Sequence, residues 1–283
     1  MSRKTKVLNH VVPKLRRKYL SSIMINTLLK NGKKTLARTI FYRTLQHIEK
    51  ETDQYVPITI FNSDGNEVDA CGNGSRCIIK LLPLIDSKSK EEYEKNSKKN
   101  ISLKTKNRIL TGSLSDKSKV LLDMGNPIFD WNKIPLSKKI DPGNVDIEID
   151  GEKINFCFCL NVGTPHIIFF NVFNENFDKF YRQLENFGPK IENYKLFPEK
   201  VNVTFARIVN KEHIVVRVWE RGAGLTKACG TAACATAVAA NKLKLVKNAV
   251  TIDFHDNLKG EREGLFISIE PEPLSKILMI GHA

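Results

Sequence analysis

Two stretches of the sequence repeat one local plan: a β-rich run, a glycine-rich turn, Ala-Cys-Gly, and then an apolar helical pattern. Ala70-Cys71-Gly72 opens a helix expected to run through Leu82, and Ala228-Cys229-Gly230 opens one expected to run through Leu243. Nine residues before each cysteine, at the end of the preceding strand, stand Asn62 and Glu220. A chain with this repeat has to place two similar half-molecules together, each offering one thiol at a helix start.

The remainder after Pro57 reads as short strands broken by Gly, Asn and Asp: 58–61, 101–105, 120–124, 154–160, 166–170, 201–208, 213–219, 250–254, 265–269 and 277–280. The two cysteine-headed helices are the only good apolar helices expected among them. Residues 87–100, rich in Lys, Glu and Ser, read as a solvated loop or exposed helix. With 283 residues and 41% hydrophobic composition the chain can bury one large core or two ordinary ones. No apolar run approaches the ~20 residues that span a bilayer, and the N-terminus lacks the apolar core of a secretory signal. The expectation is a soluble, cytoplasmic protein.

The net charge of +14 resembles a nucleic-acid signal until it is divided along the chain. Residues 1–50 hold thirteen Lys/Arg and one acid, whereas residues 51–283 hold 32 bases and 30 acids. The first segment therefore faces an anionic polymer or surface, and the rest faces none in particular. Within it, Ile23, Ile25, Leu28 and Leu29 make a helical stripe that Asn31-Gly32 can end, and a second basic amphipathic helix is expected from Lys34 to Glu51. Of the six cysteines, Cys77, Cys157, Cys159 and Cys234 read as small buried hydrophobes. The set lacks Cys-x-x-Cys pairs and suitably spaced histidines, so no metal site is expected.

A cysteine at a helix start sees unpaired backbone N–H groups and the positive end of the macrodipole, which favour the thiolate. Glycine immediately after it lets the same N–H groups approach a substrate carboxylate. Two such sites suit inversion of a carbon stereocentre: a base on one face, an acid on the other, and a carboxylate held between two cradles. Such a reaction needs no cofactor.

The segments Phe61-Asn62-Ser63-Asp64-Gly65-Asn66-Glu67, Cys71-Gly72-Asn73-Gly74-Ser75-Arg76-Cys77, Trp219-Glu220-Arg221-Gly222-Ala223-Gly224 and Ala228-Cys229-Gly230-Thr231-Ala232 resemble the two signature motifs of diaminopimelate epimerases. Asp123-Met124-Gly125-Asn126-Pro127, Gly163-Thr164-Pro165-His166, Val201-Asn202 and Gly281-His282-Ala283 support the resemblance, which covers about 230 residues. It implies an α/β (α+β) fold of two pseudo-symmetric β-barrel domains, each around a central helix, with the site between them. Cys71 and Cys229 would be the acid/base thiols, His166 supporting the first and Glu220 the second. Asn62, Asn202, Glu220 and Arg221 would recognise the distal end of diaminopimelate, and the backbone of Gly72, Asn73, Gly230 and Thr231 would hold the reacting carboxylate. The family also implies a homodimer and no cofactor. Thr164 stands where the family usually has Asn, and the family's opening Gly-Asn-Asp-Phe strand is not found before Tyr55.

Instead, Lys30-Asn31-Gly32-Lys33-Lys34-Thr35-Leu36-Ala37, with Tyr42-Arg43 and Ile48-Glu49-Lys50, resembles the first helices of the seventh protein of the small ribosomal subunit, a binder of ribosomal RNA. The domains expected are thus a basic helical segment at 1–54, an incomplete first epimerase domain at 55–117 with 271–283, and a second at 118–270. The N-terminal helices are expected to pack poorly on the first domain. Residues 1–54 are a fused fragment, a genuine weak RNA-binding extension or a targeting segment, in that order of preference. The alternatives to diaminopimelate epimerisation are a proline-type racemase and an RNA-binding protein with an inactive epimerase-like body. Arg76 and Arg217 read as solvated or ion-paired, with no catalytic role.

Overall fold

Val145, Ile147 and Ile149 are buried and Asp146 and Glu148 exposed, the period-two alternation of a strand with one wet face. A computed structural model describes residues 55–61, 67–68, 70–86, 95–96, 99–115, 119–172, 176–255, 264–273 and 275–283. The expected helices of the basic segment, Asn62 and most of 87–98 lie outside these residues. The described strands are β1 (Val56–Pro57), β2 (Ile60–Phe61), β3 (Glu67–Val68), β4 (Ile101–Lys104), β5 (Ile109–Leu114), β6 (Lys119–Asp123), β7 (Val145–Ile149) and β8 (Glu152–Asn161). They continue with β9 (Pro165–Phe170), β10 (Asn202–Asn210), β11 (His213–Glu220), β12 (Gly224–Thr226), β13 (Ala249–Phe254), β14 (Leu265–Ile269) and β15 (Ile277–His282). The helices are α1 (Gly72–Asp86), α2 (Phe177–Arg182), α3 (Leu184–Glu192) and α4 (Gly230–Lys242).

Apart from the β2–β3 ribbon, these strands form one path, in the order β1-β4-β5-β6-β15-β14-β13-β11-β10-β9-β8-β7, with β12 added to β11. The sheet-rich α+β class and the two cysteine-headed helices are as expected. The two halves, however, share one continuous sheet. The reason lies in β15, which pairs antiparallel with both β6 and β14. Among the described residues the path does not close, since it begins at β1 and ends at β7.

The principal core runs through both halves and holds Ile79 and Leu82 of α1 together with Ala232, Ala235 and Ala239 of α4. Helix α4 is buried from Gly230 through Ala240. Its alanines are the reason that strands on several sides can approach a helix that is apolar all round. Strand β9 divides this core from an outer one. Ile168 and Phe170 face the first, and Ile167 and Phe169 the second.

The outer core is roofed by α2 and α3, which were not expected from sequence. Phe177, Phe180, Tyr181, Leu184, Phe187 and Ile191 form its inner stripe at helical spacing, and Gly188-Pro189 masks that pattern by reading as a break. The rings of Phe169 and Phe205 stack with centroids 4.5 Å apart, and Phe180 meets Phe187 at 4.4 Å. Each such pair contributes about 1 kcal/mol beyond area burial. This roof fixes the outer face of β9 and β10, whose inner faces carry residues of the site.

Candidate active site

The two helix starts abut. A Cβ placed on Gly230 would lie 3.2 Å from the Cα of Gly72, and one on Gly72 would meet the Met279 methyl at 2.7 Å. Only glycine allows this approach, and each glycine directly follows one of the two candidate thiols. The internal repeat is thereby converted into juxtaposed helix N-termini, whose unpaired N–H groups are donors for an anion.

Cys71 is half-buried and its Sγ accepts a hydrogen bond from the Gly74 N–H at 3.4 Å. Its carbonyl accepts from Ser75 N–H in the first turn of α1. Cys229 is buried, in extended conformation (φ −140°, ψ 115°), and caps α4. Its Sγ lies 3.3 Å from Thr231 Oγ1. Burial pushes the Cys229 thiol well above the ordinary range, and the charge of Glu220 reinforces the shift, while the Thr231 hydroxyl and the Ala232 N–H oppose it. The expectation that a helix start favours the thiolate is thus overturned at Cys229: desolvation and a neighbouring carboxylate outweigh the helix terminus.

His166 is completely buried on β9, and desolvation, with the nearby Arg221, lowers its pKa to about 3. The imidazole is neutral. Its Nε2 lies 3.0 Å from Thr164 Oγ1, which donates to Thr231 Oγ1 at 3.4 Å. Through these hydroxyls His166 connects to Cys229, whereas the sequence reading paired it with Cys71. The segment still reaches the first thiol's turn, because Gly163 (φ +108°) packs so closely on Ala70 that an added Cβ would lie 2.5 Å from the Ala70 methyl.

Asn202 has both side-chain groups engaged with backbone: Nδ2 donates to the Pro165 carbonyl at 3.0 Å and Oδ1 accepts from Arg221 N–H at 2.9 Å. It joins the His166 segment to the turn after β11. Glu192 grips that turn from α3, accepting from Trp219 Nε1 at 2.7 Å and from Gly222 N–H at 3.1 Å. Arg221 then projects beside a polar cleft of about 290 Å³ also lined by Glu67, Lys133, Asn161, Gly163 and Glu199. Its Nη1 donates to the Glu199 carbonyl at 2.9 Å. Asn73 is exposed at the first helix start.

Two features of the site escaped the sequence reading. Arg76 is buried rather than solvated. It donates through Nη2 to Asn73 Oδ1 at 2.7 Å, through Nε to the His282 carbonyl at 3.1 Å and through Nη1 to Met279 Sδ at 3.2 Å. It therefore ties the turn after Cys71 to β15. Met279 itself wedges against both helix starts. Its place inside the short terminal strand β15 carries no local signal. Arg217, by contrast, is ion-paired with Glu185 at 2.8 Å, one of the two readings given for it. Among the described residues no group of three or more His, Cys, Asp or Glu is placed to hold a metal ion, and no helix is long and apolar enough to cross a membrane.

A profile described as diaminopimelate epimerase matches residues 158–264. A protein of Pelagibacter ubique (strain HTCC1062) named diaminopimelate epimerase is 47% identical over 210 residues, covering 73% of this chain and 71% of that protein. The chain belongs to the diaminopimelate epimerase family. A second protein of that name, from Bradyrhizobium sp., is 40% identical over 200 residues, 68% of this chain and 64% of that one. The family is one of racemases and epimerases acting on a small molecule.

Solved structures agree on the fold. A probable proline racemase from Agrobacterium radiobacter K84 superposes with a TM-score of 0.56 at 15% identity, over 82% of this chain and 70% of that one. A hydroxyproline epimerase from Agrobacterium vitis gives 0.57 at 13% identity over the same shares. A profile described as ribosomal protein S7p/S5e matches residues 1–70, so the basic segment is similar to a different family from the epimerase body.

Proposed function

We propose that this chain interconverts L,L- and meso-diaminopimelate by a two-thiol proton exchange that requires no cofactor. One sulfur, as thiolate, removes the α-proton on one face to leave an enolate. The other, as thiol, delivers a proton to the opposite face, and the two sulfurs exchange protonation states with each turnover. The observation that carries this reading is the contact of the two glycines that follow Cys71 and Cys229. It supports a carboxylate held by both helix N-termini while negative charge develops on it. Cys229, held protonated by burial and Glu220, suits the acid role at rest, and Cys71 then takes the base role. Arg221 in the polar cleft is suited to the distal carboxylate, because a guanidinium fork matches it bidentately. The 47% identity to the Pelagibacter ubique protein favours diaminopimelate over a proline-type substrate.

Exchange of the α-proton with deuterated solvent, followed separately from each stereoisomer under reducing conditions, tests this reading. Incorporation of deuterium with inversion is expected from both. Turnover of proline but not of diaminopimelate would replace the reading with the proline-type one.

A second reading concerns residues 1–54, where the ribosomal profile match and the concentration of positive charge support weak, salt-sensitive RNA binding. It is independent of the epimerase reading, and the two activities belong to different parts of the chain.

A further inference from the structure

Four buried groups from two elements line up: the His166 imidazole and Thr164 hydroxyl at the head of β9, and the Thr231 hydroxyl and Cys229 sulfur at the head of α4. Their exposures are 0%, 7%, 6% and 6% in that order. The successive separations are 3.0 Å, 3.4 Å and 3.3 Å. We propose that Thr164 and Thr231 form a directional hydroxyl chain through which His166 positions and tunes the Cys229 sulfur, which makes Thr164 a positioning residue of the site.

The direction follows from the hydrogen-bond inventory. His166 Nδ1 is buried and has no hydrogen-bond partner among the described residues. A buried N–H without an acceptor is costlier than a buried lone pair, so the single hydrogen of the neutral ring belongs on Nε2. Nε2–H then donates to Thr164 Oγ1, Thr164 donates to Thr231 Oγ1, and the Thr231 hydrogen is left to point at Cys229 Sγ. Each bond polarises the next, and the chain ends on the atom that carries negative charge as a thiolate.

The Glu220 carboxylate favours the protonated Cys229 thiol, both by its charge and as a hydrogen-bond acceptor. The charged groups acting on this chain are Glu220, beside the sulfur, and Arg221, beside the imidazole. The sulfur thus has an acceptor for its hydrogen when it is a thiol. It has a donor chain, with the Ala232 N–H, when it is a thiolate. Both states are satisfied without moving a heavy atom, which is what an acid that becomes a base in the reverse reaction requires.

This inference rests on the proposed acid/base role of Cys229, but its test needs no substrate. Thiolate absorbance is titrated across the alkaline range in the full chain, in Thr164→Val and in Thr164→Ser, and the Cys229 signal is obtained by subtracting the titration of the same protein carrying Cys229→Ser. Loss of the hydroxyl in Thr164→Val is expected to lower the thiolate-to-thiol ratio of Cys229 at a given pH roughly threefold to tenfold, the worth of one polarised hydrogen bond, and Thr164→Ser should restore it. An unchanged Cys229 titration in folded Thr164→Val would overturn the proposal. If Thr164→Val does not fold, nitrogen-15 shifts of the His166 ring in the unmutated protein decide. Hydrogen on Nε2 is expected, and hydrogen on Nδ1 would reverse the chain and end the proposal. Absence of epimerase turnover alongside the expected titration would remove only the functional reading.

Discussion

Cys71 and Cys229 differ in setting although they share a sequence context: the first is half-buried with a backbone N–H on its sulfur, the second buried beside a carboxylate. Two-sided proton transfer needs both. Replacement of either by Ala is therefore expected to lower epimerisation at least about a hundredfold, with deuterium exchange at the α-carbon as the readout. Full turnover by either variant would refute the two-thiol assignment. At His166 the depressed pKa, about 3, makes a statement about stability. Between the unfolded value near 6.5 and about pH 3, the unfolded chain binds a proton that the folded chain does not. Stability is fully present above that window and falls on acidification through it, by up to about 1.4 kcal/mol per pH unit. Urea midpoints across this range should fall less steeply for His166→Gln, and parallel curves would show that the group does not titrate as stated.

At the scale of elements, the decisive contact is that of α1 with α4. Gly72→Ala places a methyl 2.7 Å from the Met279 methyl and 3.3 Å from the Gly230 backbone. The end of the Met279 side chain can move, but the backbone cannot. A loss of about 1–3 kcal/mol is expected from such overpacking. Pairing Gly72→Ala with Met279→Ala should relieve part of the strain without restoring activity, because the helix starts remain separated. Thermal unfolding and turnover measured together would reveal this split, and restoration of activity in the pair would mean that their close approach is not required. Asn202, Glu192 and Arg76 act at the same scale. Each ties an active-site turn to a neighbouring element.

For the whole molecule, charge and sheet topology make separate predictions. Neutralising Lys30, Lys33 and Lys34 to Gln in the full chain should reduce the slope of log RNA affinity against log salt by about 2, because each phosphate contact releases a counterion. An unaltered slope would place any RNA binding elsewhere. Among the described residues the sheet ends at β1, a two-residue strand that pairs with β4, on the side of the molecule that carries Cys71. Any loosening on that side would displace one thiol relative to the other, and proton transfer is sensitive to small displacements. Turnover is accordingly expected to be lower than that of the Pelagibacter ubique relative under the same conditions. Equal turnover would mean that residues 1–54 complete the first half.

The pattern of strand, glycine turn, Cys-Gly and helix was legible because each part has a local cause: alternation for the strands, an apolar period for α1 and α4, glycine where the backbone must approach closely. Those causes sufficed to single out Cys71 and Cys229, with Asn62 and Glu220 nine residues before them, and to separate a basic segment from a near-neutral body, whereas Arg221 entered only through the family resemblance. They could not reveal that β15 stitches two halves into one sheet, since a strand's partners lie far away in sequence. Nor could they place Arg76, whose surface-like composition is contradicted by the strand end and methionine that enclose it. The protonation of Cys229 is the sharpest case. Its helix-start position favours the thiolate, but burial and Glu220 reverse that preference, because the cost of burying charge is set by everything that surrounds the sulfur in space.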